Sequence, residues 1–270
     1  MRACQPIGDG YVERDGVKVL VRLVRSRAGM FTIAERKLAT MDGYGERPLG
    51  GPMAIETIVF DLDDTLVAAS RSYARALSVL AGYDVDPAAF VAAHRRWWTC
   101  YQSGGCTIDE LYEGRMRNVG LTGDLAMEAN DRFVQAAAAI HWRRGAPGLL
   151  RTLRRLRIRT VVLTNGGSRS QREKIVRLGV DKLVDAVVIS DEIGQAKPAT
   201  AAFDAALQAV AGRASTSAAV GDDLKADIEG ALAAGLGGAV WVTTSHRKLP
   251  DHRIVKVRRL DQVASALGIE

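Results

Sequence analysis

Cysteine is scarce in this chain of 270 residues: Cys4, Cys100 and Cys106 are all it has. Three irregularly spaced cysteines make neither a disulfide framework nor a metal-ligand spacing. A reduced, cytoplasmic compartment is therefore expected, and Cys100 and Cys106 are read as structural. Long hydrophobic runs are also missing. No window approaches the length of uncharged apolar sequence that a membrane-spanning helix needs. The first residues mix Arg, Asp and Glu, so they do not read as a secretory signal. Lysine is absent from residues 71–160, although that block holds 14 arginines against 8 acidic residues and carries the whole surplus of the +6 net charge. Without lysine clusters or a nucleic-acid motif, these arginines are read as solvated helix faces, and no nucleic-acid partner is expected. What is present is ordinary: 47% apolar and 25% charged residues, in a chain long enough to bury a core without disulfides or structural metals.

Residues 1–52 are expected to form an N-terminal extension. Val17 to Val24 reads as a strand, with Asp15-Gly16 before it as a hairpin turn. Glu35 to Thr40 is weakly helical, and 42–52 is a breaker-rich linker. This extension is expected to be poorly ordered, or to precede a true start at Met53. Ile55 to Phe60 is an apolar, β-branched run that suits a buried parallel strand. The pattern then turns helical, with helices over about 71–82, 87–101, 107–118 and 124–142. Asp86-Pro87 marks one helix start, and Thr107 with Glu110 another, as a capping box. Beyond it, helices at 147–157, 170–178, 200–211, 227–234 and 260–267 alternate with strands at 160–163, 186–189, 218–220, 239–242 and 254–257. Such alternation predicts an α/β fold with a doubly wound parallel sheet.

In an open parallel sheet the site lies at the carboxyl ends of the strands. Asp61-Leu62-Asp63-Asp64-Thr65 follows the first strand, Thr164-Asn165-Gly166-Gly167 the second, and Gly221-Asp222-Asp223 another, with Asp227 a turn further on. Lys197-Pro198 lies in the loop between. Carboxylates gathered at adjacent strand ends repel by several kcal/mol per close pair. A hard divalent cation such as Mg²⁺ removes that repulsion, and Lys197 adds a second positive charge. Thr164 with Gly166-Gly167 offers a hydroxyl and backbone N–H groups for phosphate oxygens.

These four motifs, in this order, resemble those of the haloacid dehalogenase-like (HAD) hydrolase superfamily, from about Ile55 to the C-terminus. The helical stretch looks like the α-helical cap of its phosphatase branch. The resemblance implies a Rossmann-like core of residues 53–69 and 143–270, with an inserted cap over 70–142. It implies a Mg²⁺-dependent hydrolase of a small phosphorylated metabolite, such as a nucleotide, a sugar phosphate or phosphoglycolate. Asp61 would be the nucleophile that forms an aspartyl-phosphate. Asp63 would be the acid and then the base. Mg²⁺ would be held by the side chains of Asp61 and Asp222 and the backbone carbonyl of Asp63, with Asp227 and Asp223 orienting that shell. Thr164 and Asn165 would hold phosphate oxygens, and Lys197 would neutralise the transferring group. One departure is that Ala199-Thr200 follows Lys197-Pro198 where relatives often carry an acidic residue and proline; it touches helix entry only.

Dehalogenases of the superfamily lack the second aspartate, so Asp63 favours phosphoryl transfer. A phosphomutase or other phosphotransferase, a dehalogenase and a non-catalytic binding protein of the same fold are the alternatives. The runs 94–98 and 141–144, rich in His, Arg and Trp, are candidates for contact with the substrate's organic part, beside a plainer reading as helix core and solvated charge. A monomer or homodimer is expected.

Overall fold

The structure is a computed structural model. It describes residues 55–269 and, as backbone, the strands within 6–36. Two compact units are present, Met1–Glu46 and Arg47–Glu270. In the first, β1 (Pro6–Arg14), β2 (Val17–Arg25) and β3 (Phe31–Arg36) form an antiparallel sheet in that order. The register of β1 against β2 closes at Arg14↔Val17, which leaves a two-residue connection at the expected hairpin position. These strands give regular backbone to part of a segment expected to be poorly ordered. Glu35 and Arg36 lie in β3, so the weak helical reading there is corrected. The antiparallel partner β2 outweighs a marginal local propensity. The linker reading of 42–52 lies outside the described residues.

The second unit is a six-stranded parallel sheet in the order β6-β5-β4-β7-β8-β9. Its strands are β4 (Thr57–Phe60), β5 (Arg159–Thr164), β6 (Ala186–Ile189), β7 (Ser217–Gly221), β8 (Gly238–Val242) and β9 (Ile254–Val257). The chain order reverses beside β4, which pairs with β5 on one side and β7 on the other. The strands are short apolar runs because both faces are covered. Ile58, Phe60, Val162, Val220 and Val240 share one core cluster, whereas Val59, Val161, Ala219 and Ala239 share another. This is the two-residue period of a strand sorted onto two faces.

Between β4 and β5 the chain runs through α1 (Ala69–Ala76), α2 (Pro87–Gln102), α3 (Ile108–Arg117), α4 (Gly123–Ala137) and α5 (Ala146–Arg155). Asp86 caps α2 by accepting from the N–H groups of Ala88 and Ala89. Thr107 and Glu110 close the expected capping box of α3. Two expectations are corrected. The first predicted helix ends at Ala76 and tightens into a 3₁₀ stretch to Tyr83. The fourth stops at Ala137, because Trp142 is drawn into an antiparallel bridge with Val67. Helices α1 to α4 and the 3₁₀ stretch after α1 enclose an apolar cluster of their own, around Leu80, Phe90, Met116 and Phe133.

The remaining helices are α6 (Ser168–Leu178), α7 (Ser190–Ile193), α8 (Thr200–Ala209), α9 (Gly230–Ala233) and α10 (Val263–Ala266). The helix expected from Asp227 begins as a π-helical turn, Leu224–Glu229, capped by the Asp223 carboxylate. Among the described residues no single helix is long and apolar enough to cross a membrane.

Candidate active site

The carboxyl ends of β4, β5 and β7 converge, and with them the predicted residues. Asp61 follows β4 directly and bonds through its N–H to Val220 O of β7, at 2.9 Å. Lys197 is 2% exposed and its Nζ sits 2.7 Å from both Asp61 Oδ1 and Asp227 Oδ1. The Asn165 side chain fixes the backbone that carries this lysine. It donates to Lys197 O and accepts from Lys197 N–H, both at 2.9 Å. Gly221 at the end of β7 has no room for a Cβ, which would run into the Asp227 side chain. That close approach is why the strand ends in glycine before Asp222.

Carboxylate oxygens of Asp61, Asp222 and Asp227 lie within 4.8 Å of one another. Burial first, and then Asp227 and Asp222, push the Asp61 carboxyl well above its ordinary range, against the opposing pull of Lys197. Burial, then Asp227 and Asp64, push Asp222 up to about 7. Repulsion among the carboxylates contributes to both shifts, but desolvation is the larger cause. Burial works against the charge on Lys197, yet Asp227 and Asp61 more than offset it and hold the ammonium above its usual value.

These shifts predict a stability effect. A carboxyl whose folded pKa is raised contributes stability at low pH and loses it as pH rises through the folded value. The metal-free protein should therefore be destabilised by Asp222 as pH rises from about 4 through about 7. Asp222→Asn should raise the Tm of the chelator-treated protein at pH 8 by several degrees, at ~2–4 °C per kcal/mol. The gain should shrink at pH 5, as thermal melts at both pH values will test.

Asp63 departs from the expected convergence. Its carboxylate turns toward α6, where Oδ2 accepts from Lys174 Nζ at 2.6 Å and Gln171 Nε2 at 3.1 Å. The same Gln171 nitrogen reaches Thr164 Oγ1 at 2.5 Å. Lys174 and Gln171 are buried site residues that the sequence reading missed. Their signal was three-residue spacing on the inward stripe of a helix otherwise facing water. Lys197 is thus joined by a second buried lysine. Asp64 adopts a left-handed φ of 60° and accepts from Ser70 N–H at 2.9 Å, so it faces the start of α1. Thr65 Oγ1 donates to Asp222 Oδ1 at 3.3 Å. Asp223 caps the π-helical turn, and its N–H donates to Asp227 Oδ2 at 3.0 Å.

The glycine-rich turn after β5 is also less free than expected. Gly166 N–H donates to Ser190 Oγ at 2.9 Å, and Ser168 N–H to Asp191 Oδ2 at 2.8 Å. Thr164 and Asn165 remain the phosphate candidates on that turn. Of the two His/Arg/Trp runs, His94 and Trp98 line a cavity of about 290 Å³ that also reaches Asp63, Asn165 and Lys174. Arg95, Arg96, His141 and Arg144 are exposed, whereas Arg143 donates to the Asp64 carbonyl.

Among the described residues two buried carboxylate oxygens have no hydrogen-bond partner: Asp61 Oδ2 and Asp63 Oδ1. An orphaned carboxylate oxygen beside two further carboxylates is what a bound divalent cation would satisfy, so the donor set fits Mg²⁺.

Comparison with known proteins bears on this geometry. A family model described as haloacid dehalogenase-like hydrolase matches residues 55–235. The chain is 31% identical over 209 residues to the pyrimidine 5'-nucleotidase YjjG of Escherichia coli, covering 74% of this chain and 91% of that protein. It is 33% identical over 202 residues to a glyceraldehyde 3-phosphate phosphatase of Pyrococcus furiosus, covering 69% and 80%. The magnesium-bound HAD-hydrolase YfnB of Bacillus subtilis has the same fold. Its TM-score is 0.69 at 22% identity, over 80% of this chain and all of that one. Parallel sheet, strand-end aspartates and relatives agree: the chain belongs to the haloacid dehalogenase-like hydrolase family and is a phosphatase within it.

Proposed function

We propose that the protein is a Mg²⁺-dependent phosphomonoester hydrolase of a small phosphorylated metabolite, working through an aspartyl-phosphate on Asp61. The observation that carries this reading is the state of Asp61: one carboxylate oxygen is clamped by Lys197 and the other is buried without a partner. An oxygen of the Asp61 carboxylate attacks phosphorus, and the P–O bond to the substrate alcohol breaks. Asp63 is oriented for proton transfer. Its Oδ2 is held by Lys174 and Gln171, so Oδ1 is left to carry the proton to the departing alkoxide. The same oxygen then takes a proton from water as the water attacks phosphorus and the bond to Asp61 breaks. Lys197 offsets charge on Asp61 and the transferring group throughout. Bound Mg²⁺, held by Asp61, Asp222 and the Asp63 carbonyl, would supply positive charge against the phosphate oxygens. Thr164 and Asn165 hold those oxygens from the β5 side.

Phosphate release over nucleotides, sugar phosphates and phosphoglycolate, with and without a chelator, tests the reading. Activity should vanish on chelation, return with Mg²⁺ and need no sugar-phosphate activator. Ca²⁺, with longer bonds and more ligands, should restore little. Asp63→Asn should cost ~10²–10⁴-fold on an alkyl phosphate and much less on p-nitrophenyl phosphate, whose leaving group needs little protonation. Equal losses on both esters would remove Asp63 from the acid role.

A further inference from the structure

Among the described residues, Arg115 is an arginine without an acid. It lies on α3, is 2% exposed and lines the same cavity as Asp63 and Lys174. Its guanidinium is packed among the rings of Phe90, Tyr112 and Phe133, with centroids 5.3, 4.7 and 5.1 Å from its central carbon. Its polar partners are neutral: Nη2 donates to Asn130 Oδ1 at 2.5 Å, and Nη1 meets His94 Nδ1 at 3.2 Å. Nε has no partner, and among the described residues no carboxylate pairs with this cation. Burial draws the guanidinium down to about 10. Desolvating a charge is costly unless something pairs with it, and ring faces offset only part of that cost.

The surroundings are donors aimed into the same space. Tyr73 lines the cavity, and its buried hydroxyl has no partner. Burial, and then Arg115, lower His94 to about 3, so its ring is neutral. Because Nδ1 accepts from Arg115, the ring proton is assigned to Nε2. Arginine, tyrosine hydroxyl and imidazole N–H together form a donor set that favours an oxyanion. Asp63 lines the same cavity.

We propose that Arg115, with Tyr73 and His94, receives a second oxyanion on the substrate, a carboxylate or a further phosphate, at the end remote from the phosphoryl group being cleaved. The proposal rests on the phosphomonoesterase reading and names its substrate class: phosphate esters of small alcohols that carry another anionic group. Asn130 and the three rings hold the fork in place. The cavity volume of about 290 Å³ suits a chain of a few carbons.

The experiment compares three esters of matched length: phosphoglycolate, ethylene glycol bisphosphate and 2-hydroxyethyl phosphate. Three- and four-carbon sets of the same design follow. In the wild type, kcat/KM for the carboxylate or the bisphosphate ester should exceed that for the neutral ester by about 100-fold or more. Whichever anion is preferred identifies the source of the charge. Arg115→Met should cut that preference by at least about 20-fold, mainly through KM, with the smaller loss on the neutral ester. Arg115→Lys keeps the charge but not the fork, so it should fall between. A wild type that prefers no anionic ester overturns the proposal without any variant, as do equal losses on all three esters in either variant. If the wild type releases phosphate from none of them, nor from p-nitrophenyl phosphate, the hydrolase reading fails. The anion site is then read by thermal shift: phosphoglycolate must raise the wild-type Tm more than 2-hydroxyethyl phosphate does, and equal shifts overturn it.

Discussion

Asp61→Asn should abolish turnover, with kcat lowered by about 10⁴-fold or more, because the amide cannot attack phosphorus. The fold should survive. Lys197 keeps Asp227 as its partner at 2.7 Å, and the amide has the shape of the carboxylate it replaces. Burial, together with Asp227 and Asp222, already disfavours charge on Asp61. The variant should therefore melt no lower than the wild type in the absence of metal. Two measurements separate chemistry from folding: phosphate release and a thermal melt. A soluble variant with wild-type phosphate release would end the covalent mechanism. An insoluble one would assign Asp61 a structural role that its geometry does not suggest.

Lys197→Met should be the most damaging single change to stability in the site. The ammonium is enclosed and touches two buried carboxylates. Removing one partner of a buried ion pair typically costs about 3–5 kcal/mol, because the remaining charge has neither water nor counter-ion. At ~2–4 °C per kcal/mol this is a Tm loss on the order of 10 °C. Activity should fall by roughly 10³-fold, the scale for losing one preorganised electrostatic contact. Lys197→Arg should rescue poorly, since the larger fork must enter a space filled by a single ammonium. Adding Asp227→Asn to Lys197→Met should recover part of the lost Tm, because it removes one uncompensated charge. If Lys197→Met melts like the wild type, the ion-pair cluster does not hold this loop.

The order of strands and the four strand-end motifs were legible because both rest on short-range pattern. A run such as Ile58-Val59-Phe60 declares a strand buried on both sides, and the residue after it is then at the sheet's carboxyl edge. Asp61, Lys197 and Asp227 meet as that pattern implies. Gln171 and Lys174 were not legible, because they reach Asp63 from a helix more than a hundred residues away and look like part of a solvated face until the helix phase is known. Arg115 was hidden in the same way. Its block holds 14 arginines, most of them read as surface charge, and only packing against Phe90, Tyr112 and Phe133 distinguishes this one. The end of the fourth helix was not legible before 142, because the pairing of Val67 with Trp142, which requires extended backbone, joins residues far apart in the chain.

That pairing has a mechanical consequence. The helices between β4 and β5 leave and rejoin the sheet through two crossings that are laced together. Ala68 N–H donates to His141 O, Arg143 N–H to Leu66 O, and the Arg143 side chain to Asp64 O. Two laced strands behave as a ribbon, compliant to bending across its flat side and stiff to stretching along its length. A tilt of the helices therefore bends this ribbon while its ends stay in register. One end is the turn at Asp64, three residues from the nucleophile. The lacing therefore ties the turn at Asp64, and with it the neighbouring Asp63, directly to both ends of the helical segment that carries Arg115.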